Sequence, residues 1–178
     1  MKITRRVSLL ACLFVVLATP TVHAEAVPLN DQQIELVRRN CIQIQSSMQR
    51  LERIETVARR NRGVGYESTL KLMAALNSRV AANKLNVPEF IVTAAEMEKR
   101  VNDFDRNYIT YNNSFHTTMK FANCQQQPVT FYDYLNQTRE LRARVGTDVE
   151  AISKLLDDYQ KSLDKLKQTV GVNTESPQ

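Results

Sequence analysis

The chain has 178 residues, 24 Lys and Arg against 19 Asp and Glu, and a formal net charge of +5. It holds two His, four Gly and no Trp. So few histidines and glycines leave little material for a multi-ligand metal centre or a glycine-rich phosphate loop.

The amino terminus reads as a secretory signal over residues 1–24. Lys2, Arg5 and Arg6 open it with no acid nearby, and residues 7–18 are nearly all apolar. Val22-His23-Ala24 supplies a cleavage site, leaving Glu25 as the first mature residue. The apolar run is about a dozen residues, short of the roughly 20 that span a bilayer. A retained signal anchor is the alternative. Leu9-Leu10-Ala11-Cys12 looks like a bacterial lipobox, but half of the apolar run would follow Cys12, which does not fit that layout. Removing Lys2, Arg5 and Arg6 leaves 21 basic and 19 acidic side chains, a mature charge of +2. Nucleic-acid binding, which needs a concentrated basic surface, loses most of its support. Arg38, Arg39, Arg50, Arg53, Arg59, Arg60 and Arg62 still outnumber Glu35, Glu52 and Glu55, and read as a solvated helix face rather than a binding patch.

Residues 25–30 form a short extended lead containing Pro28. Asp31 is placed to cap a helix, and Ile34, Val37, Cys41, Ile44, Met48 and Leu51 recur in steps of three and four. The stripe then drifts to Ile54 and Val57. "RGVGYES" interrupts at Gly63 and Gly65, each weakening helix by about 1 kcal/mol relative to Ala. Tyr66, Leu70, Met73, Leu76 and Val80 resume the stripe to about Leu85. Pro88 suits the first turn of the next helix. There the cleanest heptad pattern begins: Phe90, Ala94, Met97, Val101, Phe104, Tyr108, Tyr111, Phe115, Thr118, with an end near Ala122. Pro128 starts a last helix that carries Leu135, Thr138, Arg142, Val145, Val149, Ile152, Leu156, Tyr159, Leu163 and Leu166 to residue 170. Residues 171–178 read as a disordered tail.

No alternating strand pattern competes, and no second long apolar run follows the signal, so no integral membrane segment is expected in the mature chain. The expected fold is all-α, an elongated antiparallel three-helix bundle over residues 31–170 with its first helix broken near Gly63 and Gly65. A four-helix bundle, with a true reversal at "RGVGYES", is the alternative.

The mature chain has two cysteines, Cys41 and Cys124. Export to an oxidising compartment makes a disulfide their default state. Bridged Cα atoms lie within about 7 Å. A reversal at Gly63 would hold the two cysteines tens of ångströms apart. A single reversal near Asn86 leaves Cys124 38 residues after it and Cys41 45 before it. That mismatch is about 10 Å of helix rise, within reach of the non-helical residues. A bridge therefore favours three helices. A free or intermolecularly paired thiol remains the alternative.

This layout resembles uncharacterised secreted helical proteins of reduced-genome bacteria. The likeness is carried by Cys41, Ile44 and Gln45, "LNSRVAANKLNVPEF" at the central bend, "VNDF" at 101–104, and "FANC" ahead of "TRELRARVGTDVEAI". It implies three helices and the disulfide, and no catalytic residue.

Residues for chemistry are few. His116 is the one mature histidine and reads as a partly exposed helix residue. No haem, C-x-x-C, nucleophile-elbow or phosphate-loop motif occurs. Glu96 and Glu98 are too close to share a helix face, Asp103 and Asp105 flank Phe104 as solvated charges, and Asp157 and Asp158 pair with Lys161. Asn112-Asn113-Ser114 and Asn136-Gln137-Thr138 match the glycosylation pattern. No catalytic residue, metal ligand or cofactor is assigned.

The expectation is an exported, non-enzymatic helical protein of the periplasm, cell surface or extracellular space. Its role is structural or protein-interacting, through a protein partner or self-association. The candidate surface is Tyr108, Tyr111, Phe115, Phe121, Phe131, Tyr132 and Tyr134 around the second bend, since polar-tipped aromatics make good anchors. The plainer reading has them filling the bundle end beside the disulfide. A periplasmic stress chaperone is the second class. "LNDQQ" (29–33) looks like the L-T-x-x-Q motif of the small all-helical chaperones typified by Spy and CpxP, departing from it at Asn30.

Overall fold

The computed structural model describes residues 28–171. The expected signal peptide, residues 25–27 of the lead and residues 172–178 of the tail lie outside them. Three helices make up the described chain: α1 (Asp31–Ala82), α2 (Pro88–Met119) and α3 (Pro128–Thr169). At 1.5 Å per residue they are about 78, 48 and 63 Å long. The arrangement is the expected three-helix, up-down-up bundle.

Local chemistry sets the ends. Asn30, not Asp31, is the N-cap of α1. Its side chain accepts from the Gln33 backbone N–H at 2.9 Å, and the Gln33 side chain accepts from the Asn30 N–H at 2.9 Å. This capping box satisfies two otherwise unpaired donors. α1 stops at Ala82, three residues before the expected end. The Leu85 N–H reaches back to the Val80 carbonyl, and Lys84 takes a left-handed backbone (φ 55°). That is a Schellman closure with lysine where glycine is usual. Pro88 and Pro128 open α2 and α3, where a missing N–H costs nothing. α2 ends at Met119 rather than Ala122, and the Gln45 side chain covers its open end by donating to the Phe121 carbonyl at 2.8 Å.

α1 runs unbroken through Gly63 and Gly65. Neither glycine has a positive φ. Two unfavourable residues in a helix of 52 weaken it without ending it, because the turns on both sides remain hydrogen-bonded. The reversal lies at residues 83–87, earlier than Asn86 alone would place it. Glu52 faces His116 and Cys41 meets Cys124, both pairs centred close to Asn83. The expected 10 Å mismatch disappears, and the cysteines form a disulfide with Cα atoms 5.9 Å apart.

α2 and α3 pack together most extensively, with α1 laid over the pair. Phe90, Met97, Phe104 and Ile152 are almost fully buried. Phe90 packs on Tyr159 with ring centroids 4.8 Å apart, and Tyr66 of α1 stands edge-on to Phe104 at 5.5 Å. A smaller cluster closes the other end, where Cys41, Cys124 and Phe131 are buried with Val37, Ile44 and Phe121 against them. Three buried or half-buried polar pairs tie the helices together. Thr118 and Thr138 share a hydrogen bond at 2.8 Å, Asn107 donates to Asp148 at 2.7 Å, and the Tyr159 hydroxyl donates to Asn77 at 3.0 Å.

Candidate interaction site

Burial is uneven among the helices. α2 buries nine of its 32 residues and α3 eight of 42, but α1 only four of 52. Those four are Cys41, Met48, Met73 and Val80. No residue of α1 between Met48 and Met73 is buried. Its two ends are anchored, one by the disulfide cluster and the other by the packing around Phe90 and Tyr159. Its middle rests on the bundle through half-buried Leu51, Tyr66 and Leu70 and through polar contacts.

Those contacts come from both neighbours. Arg142 of α3 meets Glu55 at 2.9 Å. Arg59 stacks over the Tyr108 ring at 4.6 Å and lies 4.0 Å from Asp105 of α2. His116 Nδ1 comes within 3.4 Å of Glu52 Oε1, but without hydrogen-bond alignment, and that nitrogen has no other partner. Partly exposed ion pairs of this kind contribute about 0–1 kcal/mol each. The Tyr111 hydroxyl beside Glu55 is held well above the usual tyrosine range, by burial first and then by the carboxylate. Tyr108 is raised by burial and by Glu55, with Arg59 pulling the other way.

Grooves open on both sides of this segment. One, of about 570 Å³, lies between α1 and α2 and is lined by Arg59, Arg60, Val64, Asp105, Ile109 and His116. The other, of about 420 Å³, lies between α1 and α3 and is lined by Ile54, Glu55, Arg62, Tyr111, Arg142 and Val149. Ile54 and Val64 at the rims of these grooves, and Val57 and Leu72 of the same helix, are 67, 60, 59 and 71% exposed. These values mark them as surface residues, not as the edge of the core.

The structure divides the seven aromatic residues singled out in the sequence. Tyr108, Tyr111, Phe115 and Phe131 are buried, whereas Phe121, Tyr132 and Tyr134 are half-buried. Tyr108, Tyr111 and Phe115 form an edge-to-face ladder along α2, and Phe121 stacks on Phe131 and meets Tyr134 edge-on beside the disulfide. The first four offer no outward face to a partner, because the α2 heptad turns Tyr108, Tyr111 and Phe115 into the core and Phe131 packs against the disulfide. The drift of the α1 stripe to Ile54 and Val57 was the legible sign of the exposed face. The ties between Glu55 and Arg142 and between Arg59 and Tyr108 join residues far apart in sequence, and no local pattern announced them.

Other sequence candidates have ordinary roles. Lys161 pairs with Asp158 at 3.0 Å, and Arg106 with Asp103. Arg38 and Arg39 both pair with Glu35. "LNDQQ" contains both halves of the α1 capping box. Among the described residues, no group of three or more His, Cys, Asp or Glu is arranged to hold a metal, and no helix is long and apolar enough to cross a membrane. No protein-family model matches the chain, and no curated protein or solved structure does.

Proposed function

We propose that the chain is exported by its amino-terminal signal and acts, without enzymatic activity, as a protein-interaction module of the cell envelope or extracellular space. The observation that carries this reading is the uncovered middle of α1. It is an apolar face on a helix fixed at both ends, with Ile54, Val57, Val64 and Leu72 turned to solvent. Exposed apolar residues grouped on one element mark a surface that another protein covers. The buried Cys41–Cys124 bridge supports export, since such bonds persist in oxidising compartments.

In-cell photo-crosslinking tests the interaction reading. A crosslinking side chain at Val57 or Leu72 is expected to give discrete protein adducts, and one at Arg144, exposed on α3, none. Equal labelling from all three positions, or none from α1, contradicts the reading.

A stress chaperone of the extracytoplasmic space is the second reading, and the same exposed residues favour it. A client-aggregation assay separates the two. A module for one partner leaves unrelated unfolding clients to aggregate, whereas a chaperone suppresses their aggregation at near-stoichiometric amounts.

A further inference from the structure

α1 sorts its charges by face. Between Met48 and Ala82 it exposes seven basic side chains and one acid, Glu67. The other acids of that stretch, Glu52 and Glu55, are half-buried and meet His116 of α2 and Arg142 of α3. Of the seven bases, Arg59 alone has a carboxylate within 4.0 Å among the described residues.

The other two helices are balanced. α2 exposes two bases and two acids, and α3 six bases and five acids. A surface that serves solubility alone intersperses both signs, as these two helices do. The sequence reads the arginines of α1 as such a solvated face. The inward turn of Glu52 and Glu55 removes the balance and leaves a surface of one sign.

The cations are also arranged. At about 100° per residue, Arg50, Arg53, Val57, Arg60, Val64 and Lys71 fall within about 80° of one another. All six are exposed. Met48, Glu55, Tyr66 and Met73, which face the bundle, lie on the opposite side of the helix. Val57 and Val64 are one heptad apart, as are Ile54 and Asn61, the spacing on which a second helix packs.

We propose that this basic strip of α1 is the docking surface for an acidic protein, which lays an amphipathic helix along it with Asp and Glu flanking a short apolar row. This rests on the interaction reading above and gives the partner's chemistry. Charge complementarity selects it. A second copy of the chain would set the strip against an equally basic one. A helix that lies in a lipid surface keeps its cations and its apolar side chains on different faces, whereas here Arg53, Val57, Arg60 and Val64 share one. A nucleic acid or an acidic polysaccharide would meet the cations and leave Ile54, Val57 and Val64 uncovered.

Two synthetic helical peptides of about 21 residues serve as probes. Both carry the same apolar heptad row, flanked by Glu in one and by Lys in the other. Fluorescence anisotropy measures their binding to the oxidised mature chain. The Glu peptide is expected to bind and the Lys peptide not to. Raising the salt from about 0.05 to 0.5 M should weaken the Glu peptide at least about tenfold, because exposed charges are screened. Arg53→Glu with Arg60→Glu should weaken it at least about tenfold as well, and Arg144→Glu, on the exposed face of α3, should leave it unchanged. None of these residues is in the core, and unchanged circular dichroism checks that each variant folds. No binding of the Glu peptide, equal binding of both peptides, or indifference to the double charge reversal overturns the proposal. Binding to phosphatidylglycerol vesicles in place of the peptide makes the strip a membrane surface and also overturns it. In cells, adducts from a crosslinker at Val57 should disappear in the double variant. Adducts that survive it would leave the interaction reading standing and remove the acidic partner.

Discussion

Replacing both glycines of α1, Gly63→Ala with Gly65→Ala, should stabilise the folded chain. A helix-interior glycine costs about 0.8–1.0 kcal/mol relative to alanine. The gain is realised only where the added methyl group meets nothing, and neither position has an atom within 4 Å of the new Cβ. Neither has a positive φ that would strain alanine. The pair should therefore add about 1.5–2 kcal/mol. In a chain of this size, each kcal/mol moves the midpoint by about 2–4 °C, so Tm should rise by about 3–8 °C. Urea unfolding followed by circular dichroism measures the free-energy change, and thermal unfolding measures the shift in Tm. The same substitutions discriminate the topologies. In a four-helix chain reversing at "RGVGYES", a glycine in a left-handed turn would make alanine destabilising. A loss of stability, or a change under about 0.5 kcal/mol, refutes the continuous helix.

Two further outcomes follow from the core. Cys41 and Cys124 are 83 residues apart and fully buried. Restricting so long a loop in the unfolded chain stabilises the fold by about 4.5 kcal/mol in the chain-entropy model. Cys41→Ala with Cys124→Ala should lower Tm by about 10–15 °C while leaving helix content intact, and a drop below about 3 °C contradicts the structural role. Stability should also fall in alkali. Tyr111, Tyr108 and Tyr159 are all raised above the ordinary value of 10.0, each chiefly by burial. A raised folded pKa means the unfolded chain releases its protons first. The stabilisation is therefore full below about pH 10 and is lost as pH climbs through 10 towards the folded values. Urea midpoints from pH 8 to 11 should decline beyond pH 10, and Tyr111→Phe should flatten the decline. A midpoint constant across that range in the parent chain contradicts the burial of these hydroxyls.

The helices were legible where one face had one job. Eight of the nine positions in the α2 heptad, Phe90 to Thr118, are buried, and Ala94 is half-buried. Its 3–4 spacing met partners on both sides. α3 was nearly as clear, although Arg142 stood in the stripe and proves to reach across to Glu55. α1 was harder. Its stripe holds the core at Cys41 and Met48, drifts off it through Ile54 and Val57, and returns at Tyr66, Leu70 and Met73. A straight 3.6-residue helix cannot keep one narrow stripe on its neighbours over 52 residues, and the drift was the physical trace of that. The glycines were misleading because propensity is a per-residue cost, while helix termination needs an alternative place for the backbone hydrogen bonds. The aromatic cluster was ambiguous for another reason. A polar-tipped ring on a heptad position suits a wet surface and a core equally, and only the packing of α3 against α2 decided between them. The disulfide followed from the pairing of Cys41 with Cys124, the two cysteines of the helical region, and its register needed only the earlier end of α1.

The most direct test of the account is the intact mass of the native protein, isolated from its own cells without reductant. Export with an internal bridge predicts a chain beginning at Glu25, two hydrogens lighter than its reduced form, with Cys41 and Cys124 linked in one peptide pair. A chain retaining residues 1–24, or one carrying two free thiols, contradicts it.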